Sequence, residues 1–286
     1  MSLFGHARRL LSAGAADPTK DPDPGFPFTG FTENRVATPL VDALSDEDLM
    51  ELNGLLRWHC FTADSKGRRF GRRSQPGKRE EPQSIPDPRI ADMDSRFGLK
   101  GKTVLEIGCF EGVHTIGLAM LGANVTAIDS RMENVVKTIV RAALFGFHPR
   151  VFKCDVEDPA QQALLPQVDL LHHVGVLYHL VDPVTHLRQL ASKVTHGLML
   201  DTHYAEPEKA TSSYEVAGQS FAYMRYLESG RAEVFSGMYD HARWLTLDGL
   251  ISVLKELGFA RVDVVEKRAE RNGSRVRLFA ARDAST

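Results

Sequence analysis

A short apolar segment, Thr103-Val104-Leu105-Glu106-Ile107, runs straight into a glycine turn that opens a helix: Glu106-Ile107-Gly108-Cys109-Phe110-Glu111-Gly112. No other feature of the chain narrows the possible folds as much. A strand that turns sharply into a helix aims backbone N–H groups beyond the strand's carboxyl end, where open α/β sheets bind their ligands. Gly108 permits the tight turn, and Gly112 permits close packing at the helix start. Phe110 stands where a dinucleotide site needs a second glycine, so that the pyrophosphate can touch the backbone. Its side chain obstructs that approach. The turn therefore points to a cofactor without phosphate, not to NAD or FAD.

The rest of the chain supplies the sheet that such a turn requires. Asn124–Ile128, Arg150–Cys154, Val168–Val174 and Leu198–Asp201 read as further strands, and Arg131–Phe145 is helical with Val135, Val136, Ile139 and Val140 on one stripe. Asp182-Pro183 is an N-cap and first-turn pair. Thr246 caps a helix whose Leu250, Val253, Leu254 and Leu257 share a face, and Gly258 stops it. Val262–Glu266 and Val276–Ala280 flank Asn272-Gly273, which suits a hairpin turn. Strands alternating with helices predict a Rossmann-like, doubly wound sheet of seven strands, mostly parallel with an antiparallel last strand.

Carboxylates fall at three successive strand ends. Glu106 follows the first strand. Asp129 ends the second, where a carboxylate accepts from ribose hydroxyls. Asp155 ends the third, where it could accept from an adenine amine. Together these acids point to a bound nucleoside. Upstream, Ser45 is a plausible N-cap for a helix carrying Leu49, Leu52 and Leu56. Residues 1–44, rich in proline, glycine and aspartate, read as an irregular arm. Residues 1–99 are expected to form an arm and lid, and 100–286 the cofactor domain. Seven basic residues between Lys66 and Arg79 read as a solvated loop, with phosphate contact as the rival reading.

Charge and composition exclude several classes. Lys+Arg 35 against Asp+Glu 37 gives a net charge of -2, which is not that of a wholesale polyanion binder. No apolar run approaches the ~18 residues of a membrane-spanning helix. Three scattered cysteines suggest neither a disulfide framework nor a zinc site, and a reduced, cytoplasmic setting is expected. His172 and His173 point to opposite faces of their strand. No carboxylate or cysteine completes a ligand set at the usual spacing, so no metal is expected.

The motif set resembles the class I S-adenosylmethionine-dependent methyltransferases, whose first motif, acidic-x-Gly-x-Gly-x-Gly, appears as Glu106-x-Gly108-x-Phe110-x-Gly112. Within them, Gly175-Val176-Leu177-Tyr178-His179, Tyr223-Met224-Arg225 and Arg275 look like the tRNA wobble-uridine carboxymethyltransferase branch. The resemblance implies that Gly108, Asp129, Ser130, Val156 and Val174 contact S-adenosyl-L-methionine. It also implies that Tyr178 and Arg275 match positions that help hold a carboxylated donor. That branch's tryptophan- and lysine-rich approach to the first strand is replaced here by Ser84–Arg89 and Ser95-Arg96-Phe97.

Methyl transfer needs in-line alignment, desolvation and, for a protonated nucleophile, a base. His179, just past the fourth strand, is the candidate base, since an imidazole ordinarily titrates near neutrality. Tyr178 is expected to line the pocket beside it. Residues 204–243 read as a substrate cap, with Tyr204 and Arg225 suited to a planar or anionic acceptor. Trp58 and His59 could close over the cofactor or fill core. The expected activity is methylation of oxygen or nitrogen on a small molecule. A tRNA-modifying enzyme and a non-catalytic S-adenosylmethionine-binding module are the alternatives, and the oligomeric state is left open.

Overall fold

The computed structural model describes residues 39–71 and 81–283. The arm expected over residues 1–44 lies outside the described residues as far as 38. Its last part is a helix, α1 (Pro39–Ala43), not irregular chain. α2 (Asp46–Leu55) follows, capped as the sequence predicts: Asp48 N–H donates to Ser45 Oγ at 3.0 Å.

The basic segment is only partly a loop. β1 (Phe61–Ala63) and β2 (Arg69–Gly71) form an antiparallel pair. Arg68 and Arg69 are buried. Arg68 donates to Asp64 and Asp46 at 2.8 Å, and the Arg69 guanidinium lies 4.6 Å from the Phe61 ring centre. The pairing of these two arginines overrides the charge-run reading. Arg72, Arg73, Lys78 and Arg79 lie outside the described residues.

α3 (Pro88–Phe97) leads into the main sheet. Its strands are β3 (Thr103–Ile107), β4 (Asn124–Asp129), β5 (Arg150–Lys153), β6 (Val168–Val174), β7 (Val194–His203), β11 (Arg261–Glu270) and β12 (Gly273–Ala281), ordered β11-β12-β7-β6-β3-β4-β5. β3 to β7 are mutually parallel, and β12 is antiparallel to both β7 and β11. The order reverses between β3 and β6. Ligands bind such sheets beyond the carboxyl ends of the strands at that switch point.

Helices cover both faces: α4 (Val113–Met120), α5 (Met132–Leu144), the short α6 (Pro159–Gln162), α7 (Pro183–Ala191) and α8 (Leu247–Glu256). The predicted caps hold. Thr185 N–H donates to Asp182 Oδ1 at 3.0 Å, and Gly249 N–H to Thr246 Oγ1 at 3.2 Å. α8 ends in a Schellman motif: Phe259 N–H reaches Leu254 O, and Gly258 N–H reaches Lys255 O.

One face of the sheet packs Leu105, Ile107, Leu171, Leu198 and Leu200 against α7 and α8. The other packs Val104, Ala127 and Leu170 against α3 and α4. A separate cluster of Val41, Leu49, Trp58, Phe70, Ile116 and Phe145 fuses residues 41–70 to α4 and α5. Each fully buried side chain of this size removes enough apolar surface to contribute roughly 1.5–3 kcal/mol.

The stretch after β7, which shows no pattern in the sequence, forms a second antiparallel sheet: β8 (Ser212–Val216), β9 (Gln219–Leu227) and β10 (His241–Leu245), ordered β10-β9-β8. It stands over the carboxyl-end side of β7, joined there by the bridge between Ala205 and Thr246.

Candidate active site

The turn after β3 has the geometry its glycines predict. Gly108 has φ 75°. A Cβ there would lie 2.3 Å from Val176 Cγ2, so the loop after β6 closes directly on the turn. Gly112, at φ 81°, caps α4, and a Cβ there would press on the Thr138 backbone of α5 at 3.0 Å. Phe110 takes φ 51°, a left-handed conformation that strains any residue with a Cβ. Its N–H donates to Asp129 Oδ2 at 3.0 Å, and its ring lies 5.6 Å from that of Phe235, out of the loop after β9.

Asp129, the last residue of β4, also accepts at Oδ1 from Arg131 N–H (2.9 Å) and Asn134 Nδ2 (3.1 Å). Burial pushes its carboxyl above the usual range, and these donors oppose the shift. Ser130 follows it, half-buried. Asp155 lies two residues past β5, where its Oδ1 accepts from Glu157 N–H at 3.1 Å in a turn, and Val156 is buried beside it. Val174 ends β6. These ends lie side by side because β3, β4, β5 and β6 are parallel neighbours.

Glu106 does not sit at the mouth of this site. It is inside β3, 1% exposed, and accepts from Thr115 Oγ1 at 2.6 Å. Burial, with the nearby Asp129 charge, raises its pKa to about 7.

Tyr178 and His179 occupy a single 3-10 turn, Leu177–His179, just after β6. His179 Nδ1 lies 2.7 Å from Glu228 Oε1, an atom that can only accept when ionised, so Nδ1 carries the proton and Nε2 is left as the basic nitrogen. Glu228 Oε2 accepts in turn from Ser236 Oγ and Gly237 N–H. Although burial would raise the Glu228 carboxyl, these hydrogen bonds hold it below its ordinary range. Gly237 is required here, because a Cβ would meet His179 O at 2.5 Å. Spacing gave no sign of Glu228, which lies far along the chain from His179.

The same loop is pinned from below. The Arg131 guanidinium donates to the carbonyl oxygens of Gly230, Arg231, Glu233 and Ser236, at 2.8–3.2 Å. Arg131 immediately follows the Asp129-Ser130 pair, so one residue ties the cap to the strand end that carries the candidate ribose ligand.

Arg275, expected to open the last strand and in fact the third residue of β12, is already paired. Its Nε donates to Asp201 Oδ1 at 2.5 Å, and Arg268 donates to both oxygens of Asp201 at 3.0 Å. The Arg275 guanidinium lies 5.3 Å from the Tyr178 ring centre. Tyr204 and Arg225 line a cavity of about 500 Å3 with Lys209, Met224, Tyr226 and Trp244. Trp244 Nε1–H donates to Tyr178 O at 2.8 Å, so this cavity and the Tyr178 turn share a wall.

Of the two readings open for Trp58 and His59, core filling fits the geometry. Trp58 is 1% exposed, packed on Phe70 and under the Arg141 guanidinium. His59 is also buried, and its N–H donates to Glu111 Oε1 at 2.7 Å.

With this geometry in view, comparison with known proteins assigns the class. The family model described as a methyltransferase domain matches residues 84–264, and the chain belongs to that family of S-adenosylmethionine-dependent methyltransferases. The N-terminal domain of EvdMO1, crystallised in the presence of SAH and D-fucose, shares the fold with a TM-score of 0.66 at 22% identity, over 82% of this chain and 94% of that one. The ubiquinone biosynthesis O-methyltransferase of Aeromonas salmonicida (strain A449) is 33% identical over 104 residues, 36% of this chain and 43% of the relative. The tRNA U34 carboxymethyltransferase of Alteromonas mediterranea is 28% identical over 179 residues, 59% of this chain and 48% of the relative. The chain thus spans about half the length of these curated relatives. Among the described residues, no helix is long and apolar enough to cross a membrane.

Proposed function

We propose that this chain transfers a methyl group from S-adenosyl-L-methionine to an oxygen or nitrogen of a small, planar acceptor. The observation that carries the reading is the His179–Glu228 pair at the carboxyl end of β6, next to the switch point of the sheet. The residues present fit the cofactor. Gly108 makes the tight turn after β3 at φ 75°, Asp129 offers a carboxylate at the end of β4, and Phe110 stands where a pyrophosphate site needs a glycine. Gly108, Gly112, Asp129, Ser130, Asp155, Val156 and Val174 would form the floor of that site, with Glu106 supporting it from within β3.

When bound, the cofactor supplies an electrophilic methyl on a sulfonium. The protein's part is alignment, exclusion of water and proton removal. Glu228 holds His179 in the tautomer that leaves Nε2 free, and His179 takes the acceptor's proton at that atom. Glu228 acts through His179 and is a positioning residue. The cap of residues 204–243, standing on the domain of residues 100–286, supplies the acceptor pocket. Tyr226, backed by the buried Trp244 on which it stacks, and Tyr204 would meet a ring, and Arg225 and Lys209 an anionic substituent.

Lys66, Arg68 and Arg69 of the basic segment are engaged within the fold, which favours a small acceptor over tRNA. The three cysteines, Cys60, Cys109 and Cys154, are all buried, as suits a reducing cytoplasm.

Calorimetric titration with S-adenosylmethionine, S-adenosylhomocysteine and carboxy-S-adenosylmethionine tests this. We expect the first two to bind at micromolar concentration with no preference for the third. A strong preference for the carboxylated donor overturns the methyl-donor assignment, and no binding of any overturns the cofactor assignment. In turnover, Glu228→Gln should lower kcat and alter its pH profile without weakening cofactor binding.

A further inference from the structure

Linear spacing gives His172 no partners, but the fold does. β3 and β6 pair in parallel with Glu106 directly opposite His172, so the two side chains share one face of the sheet. His114, in the first turn of α4, covers that face. Its ring meets His172 edge-on, with centroids 5.0 Å apart and planes at 89°. One ligand atom from each of Glu106, His114 and His172 lies within 4.8 Å of the other two.

We infer that Glu106, His114 and His172 form a binding site for a divalent metal ion of the zinc type. His172 is 1% exposed, and neither of its ring nitrogens has a hydrogen-bond partner among the described residues. A buried polar atom left this way has lost its water without gaining a partner, and a core position that needed only filling would carry an apolar residue. The neighbouring His173 points to the other face, where its Nε2, though not its Nδ1, is partnered by His186 Nε2 at 2.9 Å.

The outer partners of a metal site are in place. Thr115 Oγ1–H holds one oxygen of Glu106 and leaves the other to bind. Asp87 Oδ2 lies 3.4 Å from His114 Nε2, the carboxylate–imidazole arrangement that orients a metal-bound histidine. Arg89 Nη2, which can only donate, lies 3.1 Å from the same nitrogen and 2.9 Å from Asp87, so before the ion binds His114 Nε2 accepts from Arg89, and it turns donor to Asp87 when Nδ1 takes the ion. Two imidazoles and one carboxylate suit zinc and its neighbours, whereas calcium and magnesium prefer oxygen alone. Zinc ligands stand about 3.3 Å apart in a tetrahedral set, so the three groups need to close by roughly 1.5 Å at most. The His114 and Asp87 side chains, each 20% exposed, give the ion a way in.

The inference stands apart from the methyl-transfer reading. The untagged chain, stripped with chelator, is to be titrated with zinc chloride and with cobalt chloride. We expect one zinc per chain retained through dialysis, visible d–d bands with cobalt, and a higher melting temperature. His114→Ala, at a partly exposed helix position, and His172→Phe should each weaken zinc by about 100-fold or more, and Asp87→Asn by about 10–100-fold. Failure of the wild-type chain to retain zinc overturns the site. So does stoichiometric retention that survives His114→Ala.

Discussion

Glu111, in the turn that opens α4, and Lys137, on α5, form an ion pair of 3.0 Å with both side chains fully buried. The same carboxylate accepts from the backbone N–H groups of His59 and Cys60, and Arg141 donates at Nε to Glu111 O while also reaching Cys60 O. One acid thus fastens residues 57–62 to the helix that follows the glycine turn. Removing one partner of a buried pair leaves an uncompensated charge, at a cost of about 3–5 kcal/mol. Lys137→Met should destabilise the chain by that amount in urea denaturation, and adding Glu111→Gln should recover part of the loss. Simple additivity of the two would show that they do not act as a pair.

Two buried acids predict opposite limbs of a stability–pH curve. Despite burial, His59, Arg141 and Lys137 hold Glu111 down to about 2 in the folded chain. Its folded pKa is below the ordinary 4.5, so its contribution is present above 4.5 and is lost as pH falls towards 2. Glu106 is displaced the other way, to about 7, by burial. The folded chain holds that proton more tightly, so stability falls as pH rises from about 4.5 to 7. Each limb amounts to about 3 kcal/mol as an order of magnitude. In chelator, urea midpoints from pH 3 to 8 should show both, and Glu106→Gln should flatten only the upper limb.

Gly108→Ala should abolish cofactor binding in calorimetry and lower stability by at least about 1–2 kcal/mol from the positive φ alone. The added Cβ would also strike Val176 Cγ2. Pairing it with Val176→Ala should relieve the clash but not the backbone strain. Full rescue by that second substitution would show that the conformation, as opposed to the space, does not matter here.

Arg131→Met should free the loop of residues 230–237 while leaving the sheet intact. Hydrogen exchange should then speed up in that loop and leave β3 and β4 unchanged. If the loop covers the acceptor, KM for the acceptor rises more than kcat falls. Unchanged exchange would mean that the contacts with Glu228 suffice to hold it.

The parallel sheet was legible because local chemistry marks its turns and the starts of its helices, such as the Gly108 turn after β3 and the Asp182 and Thr246 caps of α7 and α8. The cap sheet was hidden for a local reason too. β8 and β9 are joined through Ala217 and Gly218, both at positive φ, and alanine does not announce such a turn as asparagine would. The strand β2 was masked by the charges in and beside it, Arg69 and Arg68, which meet the Phe61 ring and the acids Asp64 and Asp46. At the site, the residues that flank the strands were visible: Gly108, Asp129, Tyr178 and His179. Their partners were not. Glu228 for His179, Asp201 for Arg275 and His114 for His172 are long-range pairings, created only when the strands align.

β12 lies between β7 and β11, although it comes last in chain order among the seven strands of the main sheet. While the polypeptide emerges from the ribosome, every earlier strand of the main sheet is already available, yet β7 presents an unpaired edge until residues 273–281 arrive. Arg275 reaches Asp201 only at that moment. The arrival of β12 therefore closes both the sheet and the arginine cluster, and a nascent chain stalled or cut before residue 273 would carry an open, apolar strand edge for chaperones to shield.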